Sequence, residues 1–529
     1  MKSTLIPVLT GFLATALPVT AQEYLRVTGH EDFDGFGMSL AVLDDLNGDG
    51  ISEFAVGAYC TDRMGHINGG SVTAFDGATG QIRWMTNGDS EDERLGHCMD
   101  RLGDINGDGV CDIVVGAYRD RLGGLKSGSV HVLDGFTGAR LYTVVEDEDG
   151  AEFGKSIAVI SDINGDGHHE WIAGAWLSNN NGTHSGKVSL HSGIDGKKLR
   201  TWAGPANSFY GQSVARIGDI TGDSKDEFAI GGPRAVNGSK RVGIVDIIDG
   251  GNGDRLARLQ GTSTSNFGWW IAGPGDLDKD GVPDILIGAP DDDRGEQNAG
   301  SITTISGRTQ DVIYEVLGTS AREGLGWFVG PAGDVDGDGR PEYLVGSPRH
   351  EARGTETGAM RLFRGRDGEP MVSWLGWSEF DKLGAVAMPF SDVNGDGQMD
   401  WLIGSPEAGA DLAFEPGAAS VFLHPELPEL RLVELQGGGP AKLRLTGARG
   451  GHPIRLYLSF EGMGIDVLRS DLHLDITQAL LAADEVAPAN GRVSFEGIVP
   501  AHLAGAEIWF QAIDWTDEIK SNPVHGIVE

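Results

Sequence analysis

Seven nine-residue segments of this chain carry oxygen-bearing side chains at one spacing, Asp-x-Asn/Asp-x-Asp-Gly-x-x-Asp/Glu. They read DLNGDGISE, DINGDGVCD, DINGDGHHE, DITGDSKDE, DLDKDGVPD, DVDGDGRPE and DVNGDGQMD, starting at Asp45, Asp104, Asp162, Asp219, Asp276, Asp334 and Asp392. Positions 1, 3, 5 and 9 offer side-chain oxygen, position 7 offers a backbone carbonyl, and the glycine at position 6 makes a sharp turn. An all-oxygen donor set rich in carboxylate selects a hard cation, and a flexible loop favours Ca²⁺ over Mg²⁺. The expected ligands are Asp45, Asn47, Asp49, Ile51 and Glu53, then Asp104, Asn106, Asp108, Val110 and Asp112, then Asp162, Asn164, Asp166, His168 and Glu170. In the later units they are Asp276, Asp278, Asp280, Val282 and Asp284, then Asp334, Asp336, Asp338, Arg340 and Glu342, then Asp392, Asn394, Asp396, Gln398 and Asp400. The position-7 residues serve through their carbonyls. The fourth unit departs from the pattern, with Thr221 and Ser224 replacing Asn and Gly; Asp219, Asp223 and Glu227 remain, and a weak or empty site is expected.

Carboxylates about 5 Å apart repel by roughly 3 kcal/mol per pair at an effective dielectric near 20. A solvated turn has no reason to repeat that cost seven times. An EF-hand is excluded, because position 12 is Val56 or Val115 inside an apolar run instead of a bidentate Glu. The loops hold 23 acids at positions 1, 3, 5 and 9, in a chain with 78 Asp and Glu against 41 Lys and Arg, a formal charge of −37. Seven Ca²⁺ would offset 14 of those charges. The acidity argues against nucleic acid or an anionic membrane as main partner.

The loops recur at steps of 59, 58, 57, 57, 58 and 58 residues. Each opens after a Phe-Gly, Leu-Gly or Tyr-Gly start and an apolar run. A Val/Ile/Leu-rich run follows, then a polar loop, then Gly-Ser-Val-type segments such as GSVTAF (70–75) and GSVHVL (128–133), and a last short run. Apolar runs bounded by Gly and Asp are strand signals. Four strands per period fit a propeller blade, and blades need neighbours to cover both faces. The segment EYLRVTG (23–29) matches the last strand of a unit, while the seventh unit stops one strand short after AASVFL (418–423). The first strand is therefore expected to complete the last blade. Fold class is read as all-β: a seven-bladed β-propeller over 22–424, a linker at 425–429, and a small β-sandwich-like domain over 430–529 with one helix within 470–484. Lys2, the apolar run 5–17 and Val19-Thr20-Ala21 read as a signal peptide cut after Ala21, which implies a secreted or cell-surface protein.

The Phe-Gly starts, acidic loops and closes such as GAP (288–290) and GSP (346–348) resemble the FG-GAP repeat family, whose best-known members are the N-terminal propellers of integrin alpha subunits. The resemblance covers about 23–424. It implies calcium loops on one propeller face and ligand or partner contacts by loops of the other. Mapped here, that second face takes Arg119, Arg121, Arg234, Arg294 and Arg349, with Trp269, Trp270 and Trp327 close by. Arginine with aromatics suits acidic glycans or carboxylate-bearing peptides. Cys60 and Cys98 would lie on the same face of adjacent blades and could form a disulfide; Cys111 lies in an acidic loop. No G-x-S-x-G, H-E-x-x-H or phosphate-cradling loop is present, so no catalytic residue is assigned. The expected function is a secreted calcium-binding propeller that binds or adheres to an extracellular protein or glycan. The alternative is a polysaccharide-directed lectin, hydrolase or lyase using the upper face.

Overall fold

Each repeat becomes a four-stranded antiparallel sheet, because its four apolar runs are short, β-branched and broken by Gly-Asp turns. The computed structural model describes residues 23–424 apart from 30–32, 64, 263–264, 352 and 408–415, and the strand backbones between 429 and 527. The first blade is Phe36–Val42, Phe54–Ala58, Ser71–Phe75 and Ile82–Asn87, paired in that order. Five more blades repeat the order, starting at Leu95, Phe153, Ser213, Trp270 and Phe328. The seventh holds Val386–Phe390, Asp400–Ser405, Ala418–Phe422 and, as its outer strand, Glu23–Thr28. Thr28 lies opposite Ala418 and Glu23 opposite Phe422, so the chain's first strand closes the ring as its spacing predicts.

The second strand of each blade is buried along its length, as in Asp112–Ala117 and Asp284–Ala289. The core lies between blades. One cluster joins Ile172, Val188 and Leu190 of the third blade to Phe228, Ile230 and Ile244 of the fourth.

A glycine contact sets how closely blades approach. In six blades the second strand carries a glycine whose added Cβ would meet the next blade's start-glycine carbonyl at about 2 Å: Gly57 against Gly96 at 2.1 Å, Gly116 against Gly154 at 2.2 Å, and so on to Gly346 against Gly384 at 1.9 Å. Gly404 of the seventh blade meets Gly37 of the first at 2.1 Å, which completes the circle. The start glycines all have φ between 83° and 93°, which an L side chain rarely adopts. Their carbonyls also accept hydroxyl hydrogen bonds across the junction, from Ser39 to Gly96 (2.7 Å), Ser156 to Gly211 (2.8 Å) and Ser213 to Gly268 (2.9 Å). Cys98 occupies that serine slot, its thiol donating to the Gly154 carbonyl at 3.2 Å.

The predicted Cys60–Cys98 disulfide is therefore not formed. Cys98 is held by its inter-blade bond, Cys60 accepts from the Arg94 guanidinium at 2.6 Å, and both are free thiols, as is Cys111.

The chain divides into two compact units, one of them Thr20–Pro425. In the other, Glu429–Leu435, Pro440–Thr446 and Val493–Ile498 form one sheet, and in a second Pro453–Ser459 lies between Leu480–Val486 and Glu507–Asp514. The helix expected within 470–484 is corrected: Leu472–Leu474 and Leu480–Val486 are strands. Pairing of Leu480–Val486 with Pro453–Ser459 overrides the helical preference of its Leu and Ala residues. The signal-peptide reading and residues 425–428 of the expected 425–429 linker lie outside the described residues, and Glu429 opens a strand. Among the described residues no helix is long and apolar enough to cross a membrane.

The glycine contact yields a test. Gly57→Ala adds one methyl at a junction with no room and no φ penalty, so it should cost about 2 kcal/mol. Denaturant unfolding of the full chain measures it; unchanged stability would show that the blades are not so closely set.

Candidate functional site

Strand alternation puts each acidic loop, between the first and second strands, at the same end of its blade as the Asp-Gly turn between the third and fourth. The polar loops after the second strand lie at the other end. Contacts agree: the Asn47 amide donates to Asp76 and the Asn106 amide to Asp134, each in the Asp-Gly turn of the same blade (both 3.0 Å).

Each loop wraps its own backbone around its carboxylates. Asp45 accepts from Gly48 (2.7 Å) and Gly50 (2.8 Å), and Asp104, Asp162, Asp219 and Asp392 accept from the same positions. Asp276 and Asp334 accept from Gly281 and Gly339. The position-5 residues Asp49, Asp108, Asp166, Asp223, Asp280, Asp338 and Asp396 each accept from the N–H at position 7, borne by Ile51, Val110, His168, Lys225, Val282, Arg340 and Gln398. Those N–H groups point inward to Asp, and the His168 side chain is not needed for the turn. In the fourth loop Ser224 adopts φ 69°, the conformation glycine supplies elsewhere.

Position 9 opens the second strand. Glu53, Asp112, Glu170, Glu227, Asp284, Glu342 and Asp400 are all fully buried. Each accepts from the backbone N–H at position 2, between 2.6 and 2.9 Å. With no counter-charge, burial pushes Asp112 and Asp284 up to about 6 and Glu170 to about 7. Burial and the neighbouring Asp336 carboxylate push Glu342 to about 8. At the solvent-facing end the Gly50, Gly109 and Gly397 N–H groups hold Asp45, Asp104 and Asp392 below the usual carboxylate range. In the second and seventh loops an outer carboxylate held low thus faces a buried inner one held high, which would gain from a cation.

Three loops bring carboxylate oxygens within 4.8 Å of one another: Asp162, Asp166 and Glu170; Asp276, Asp278 and Asp284; Asp334, Asp336 and Glu342. This donor set fits a hard divalent ion. Among the described residues no three carboxylates converge so closely in the other four loops. In the first, Arg83 reaches both Glu53 (2.8 Å) and Asp76 (2.9 Å), a fixed cation beside the site. In the fourth, Thr221 caps Glu227 at 3.3 Å, and Lys225 leaves the loop for the Ile163 carbonyl. In the fifth, Arg308 holds Asp280 at 2.9 Å, outside the converging trio.

On the opposite face the predicted arginines are largely braced by acids. Arg119 pairs with Asp92 (3.1 Å) and Glu152 (3.8 Å), and Arg121 lies 4.0 Å from Asp92. Arg294 pairs with Asp292 and Glu315, and Arg349 with Asp291 while covering the Trp327 ring at 4.9 Å. Arg234 is the exception, lying over Phe209 at 4.7 Å. Trp269 and Trp327 meet at 5.0 Å, half-buried, whereas Trp270 packs inward against Phe328 and the core between the fifth and sixth blades.

Sequence reading missed an arc of rings on this face: Tyr59, His97, Tyr118, Trp176 and Phe209, with Lys155 3.0 Å from the His97 ring nitrogen. The signal was available. The residue after each start glycine varies in chemistry from blade to blade, running Met38, His97, Lys155, Gln212, Trp269, Trp327, Ala385. Also missed was a fully buried cluster of Glu93, Asp120 and His131. Its bonds are internal: Ser129 donates to Asp120 (2.6 Å) and meets His131 (3.0 Å), and Arg140 reaches Glu93 (3.3 Å).

Residues 267–305 match the family model for the FG-GAP repeat. The chain is similar to integrin alpha-5 of Xenopus laevis, 25% identical over 259 residues, covering 44% of this chain and 24% of that protein. It is 30% identical to integrin alpha-V of Gallus gallus over 218 residues, covering 38% and 20%, and 33% identical to integrin alpha-6 of Gallus gallus over 150 residues, covering 27% and 14%. The chain spans a quarter or less of the length of these relatives.

The buried carboxylates fix a sign. Glu342 and Glu170 bind protons more tightly folded than unfolded, where carboxylates titrate near about 4.3. Stripped of divalent ions, the chain should gain stability as pH falls from about 8 toward 5 and lose it again on the way back up. Glu342→Gln should raise the Tm of the stripped protein at about pH 8 and remove part of its stabilisation by added calcium. Differential scanning calorimetry with chelator or calcium checks both; a pH-independent Tm in chelator would count against buried, unneutralised carboxylates.

Proposed function

We propose that this chain is a secreted or cell-surface calcium-binding propeller that binds an extracellular protein or glycan through the face opposite its acidic loops. The observation that carries the reading is the division of labour between the faces. Carboxylate loops occupy one end of every blade, and rings with basic side chains gather at the other. The similarity to integrin alpha chains supports a role in adhesion or binding.

Calcium is the ion proposed, held by side-chain oxygens at positions 1, 3, 5 and 9 with the position-7 carbonyl. The third, fifth and sixth loops are its best-formed sites, and the fourth is its weakest. The ion supplies the positive charge that lets position 9 stay ionised while buried. The chain's own residues do the rest: residues at positions 4 and 6, glycine except for Lys279 and Ser224, turn the loop with positive φ, and the backbone N–H groups hold the carboxylates in place.

Calcium at about 1 mM over sites of about 10⁻⁴ M would add about 1.4 kcal/mol per site. Six filled sites in a propeller of this size correspond to a Tm about 10 °C higher than in chelator. An unchanged melting temperature would reject the calcium reading. Binding is tested with immobilised extracellular matrix proteins and a glycan array, each with and without chelator. Capture by neither would reject the binding reading.

A further inference from the structure

We infer that the junction of the third and fourth blades, where Lys155 and Arg234 flank the Trp176–Phe209 ring pair, binds a carboxylate-bearing oligosaccharide. This rests on the reading of the opposite face as the binding surface and gives that face a ligand class and a location.

The two rings meet at 5.3 Å between centroids and are half-buried, so each keeps some surface open. Lys155 lies 5.3 Å from the Trp176 centroid and 4.8 Å from that of Tyr118. Arg234 is exposed and lies 4.7 Å from the centroid of Phe209. A cation therefore stands on each side of one aromatic pair.

Both cations lack an acidic partner. Among the described residues no carboxylate lies within 4 Å of Lys155 or Arg234, whereas Arg119, Arg294, Arg349 and Arg361 are each ion-paired. The nearby acids are committed elsewhere. Glu152 accepts from the Trp176 indole at 2.8 Å and faces Arg119, and Glu148 is taken by Ser178, Asn179 and Lys187. Lys155 meets the His97 ring nitrogen at 3.0 Å, and in a chain with nearly twice as many acids as bases neither cation has an acid among the described residues that an outside anion would have to displace. Burial lowers the Lys155 ammonium only to about 8, so it stays charged at neutral pH.

The surroundings favour a sugar over an acidic peptide. The loop at 179–184 is exposed and reads NNNGTH. Asn180 and Thr183 are exposed in this loop, which reaches the ring pair through His184. Asn181 is held by its bond to the Gly204 carbonyl (2.9 Å), and His184 stacks on Phe209 at 5.4 Å. An acidic peptide needs only the two cations. Exposed Asn180 and Thr183 offer an amide and a hydroxyl suited to sugar diols, and the half-buried ring pair an apolar surface for a pyranose, with uronate carboxylates taken separately by Lys155 and Arg234.

Isothermal titration calorimetry of the full chain in calcium buffer tests this with a galacturonate trisaccharide, its carboxyl-reduced counterpart and an oligoglutamate peptide. The galacturonate should bind at least about tenfold more tightly than either of the others. Arg234→Gln and Lys155→Gln should each weaken it about tenfold. Arg234 is exposed, so its variant should keep the parent Tm; Lys197→Gln, in an exposed turn on the acidic-loop face, should bind as the parent does. Absence of galacturonate binding, equal binding of the reduced sugar or peptide, or an unaffected Arg234→Gln variant would each overturn the inference. If galacturonate fails while a matrix protein or another glycan still binds, this inference alone falls. If nothing binds, the reading of the face falls with it.

Discussion

The approach of one glycine to the next blade's carbonyl is the constraint on which the ring depends. A side chain at Gly57, Gly116 or Gly346 would sit about 2 Å from a backbone oxygen, inside any permitted contact. The start glycine must also take a left-handed φ so that its carbonyl faces that neighbour. These two demands, one steric and one conformational, explain why each repeat opens on Gly after an apolar residue and closes its second strand on Gly. The start residue is itself stitched to the preceding blade: Gly70 bridges Leu95, Gly128 bridges Phe153, and Gly300 bridges Leu325. The same contact made seven times around a circle leaves no blade with a free face, which is what closure requires of an otherwise open stack.

The acidic loops hang from this frame. Position 9 is the first residue of the buried second strand, so the frame fixes its depth and the loop fixes the partners around it. Burying seven carboxylates is costly unless each is neutralised. The structure shows partial solutions in protein alone. Arg83 serves Glu53 in the first blade, and the Thr221 hydroxyl serves Glu227 in the fourth. In the third, fifth and sixth loops three carboxylates converge, whereas the second and seventh have neither device and no such convergence among the described residues. The surroundings of position 9 thus differ from blade to blade in ways the nine-residue pattern alone does not show.

The repeat was legible because its constraints are local. The turn glycines, the position-9 acid and the missing strand at the end of the seventh unit are each written within one stretch of sequence. Contacts that cross a blade junction were not. The Trp84 indole donates to the Gly135 carbonyl at 3.0 Å and the Trp202 indole to Gly253 at 2.9 Å, pairings some 51 residues apart that no single repeat reveals. The arginines of the opposite face look free in sequence because Asp92, Asp291 and Glu315 come to them from other loops and strands. Cys98 looks like a disulfide partner until it is seen to stand where other blades place serine. The helix expected within 470–484 failed for a related reason, since strand pairing with a segment some thirty residues earlier decided its form.

The two faces are linked through the same frame, and this bears on what the chain can do. The strand that begins with the buried acid of a loop ends in the glycine contact and then enters the opposite face: Glu170–Ala175 runs from its loop carboxylate directly into Trp176. Neutralising the acid at one end stabilises the strand that carries the ring at the other. The coupling needs no moving part, because it acts through the stability of a shared strand. On the proposed reading, the acidic loops would serve binding without touching a ligand. A chain with so many carboxylates can keep a small basic, aromatic patch available only if most of its arginines are already matched and its loop acids are drawn to the far face.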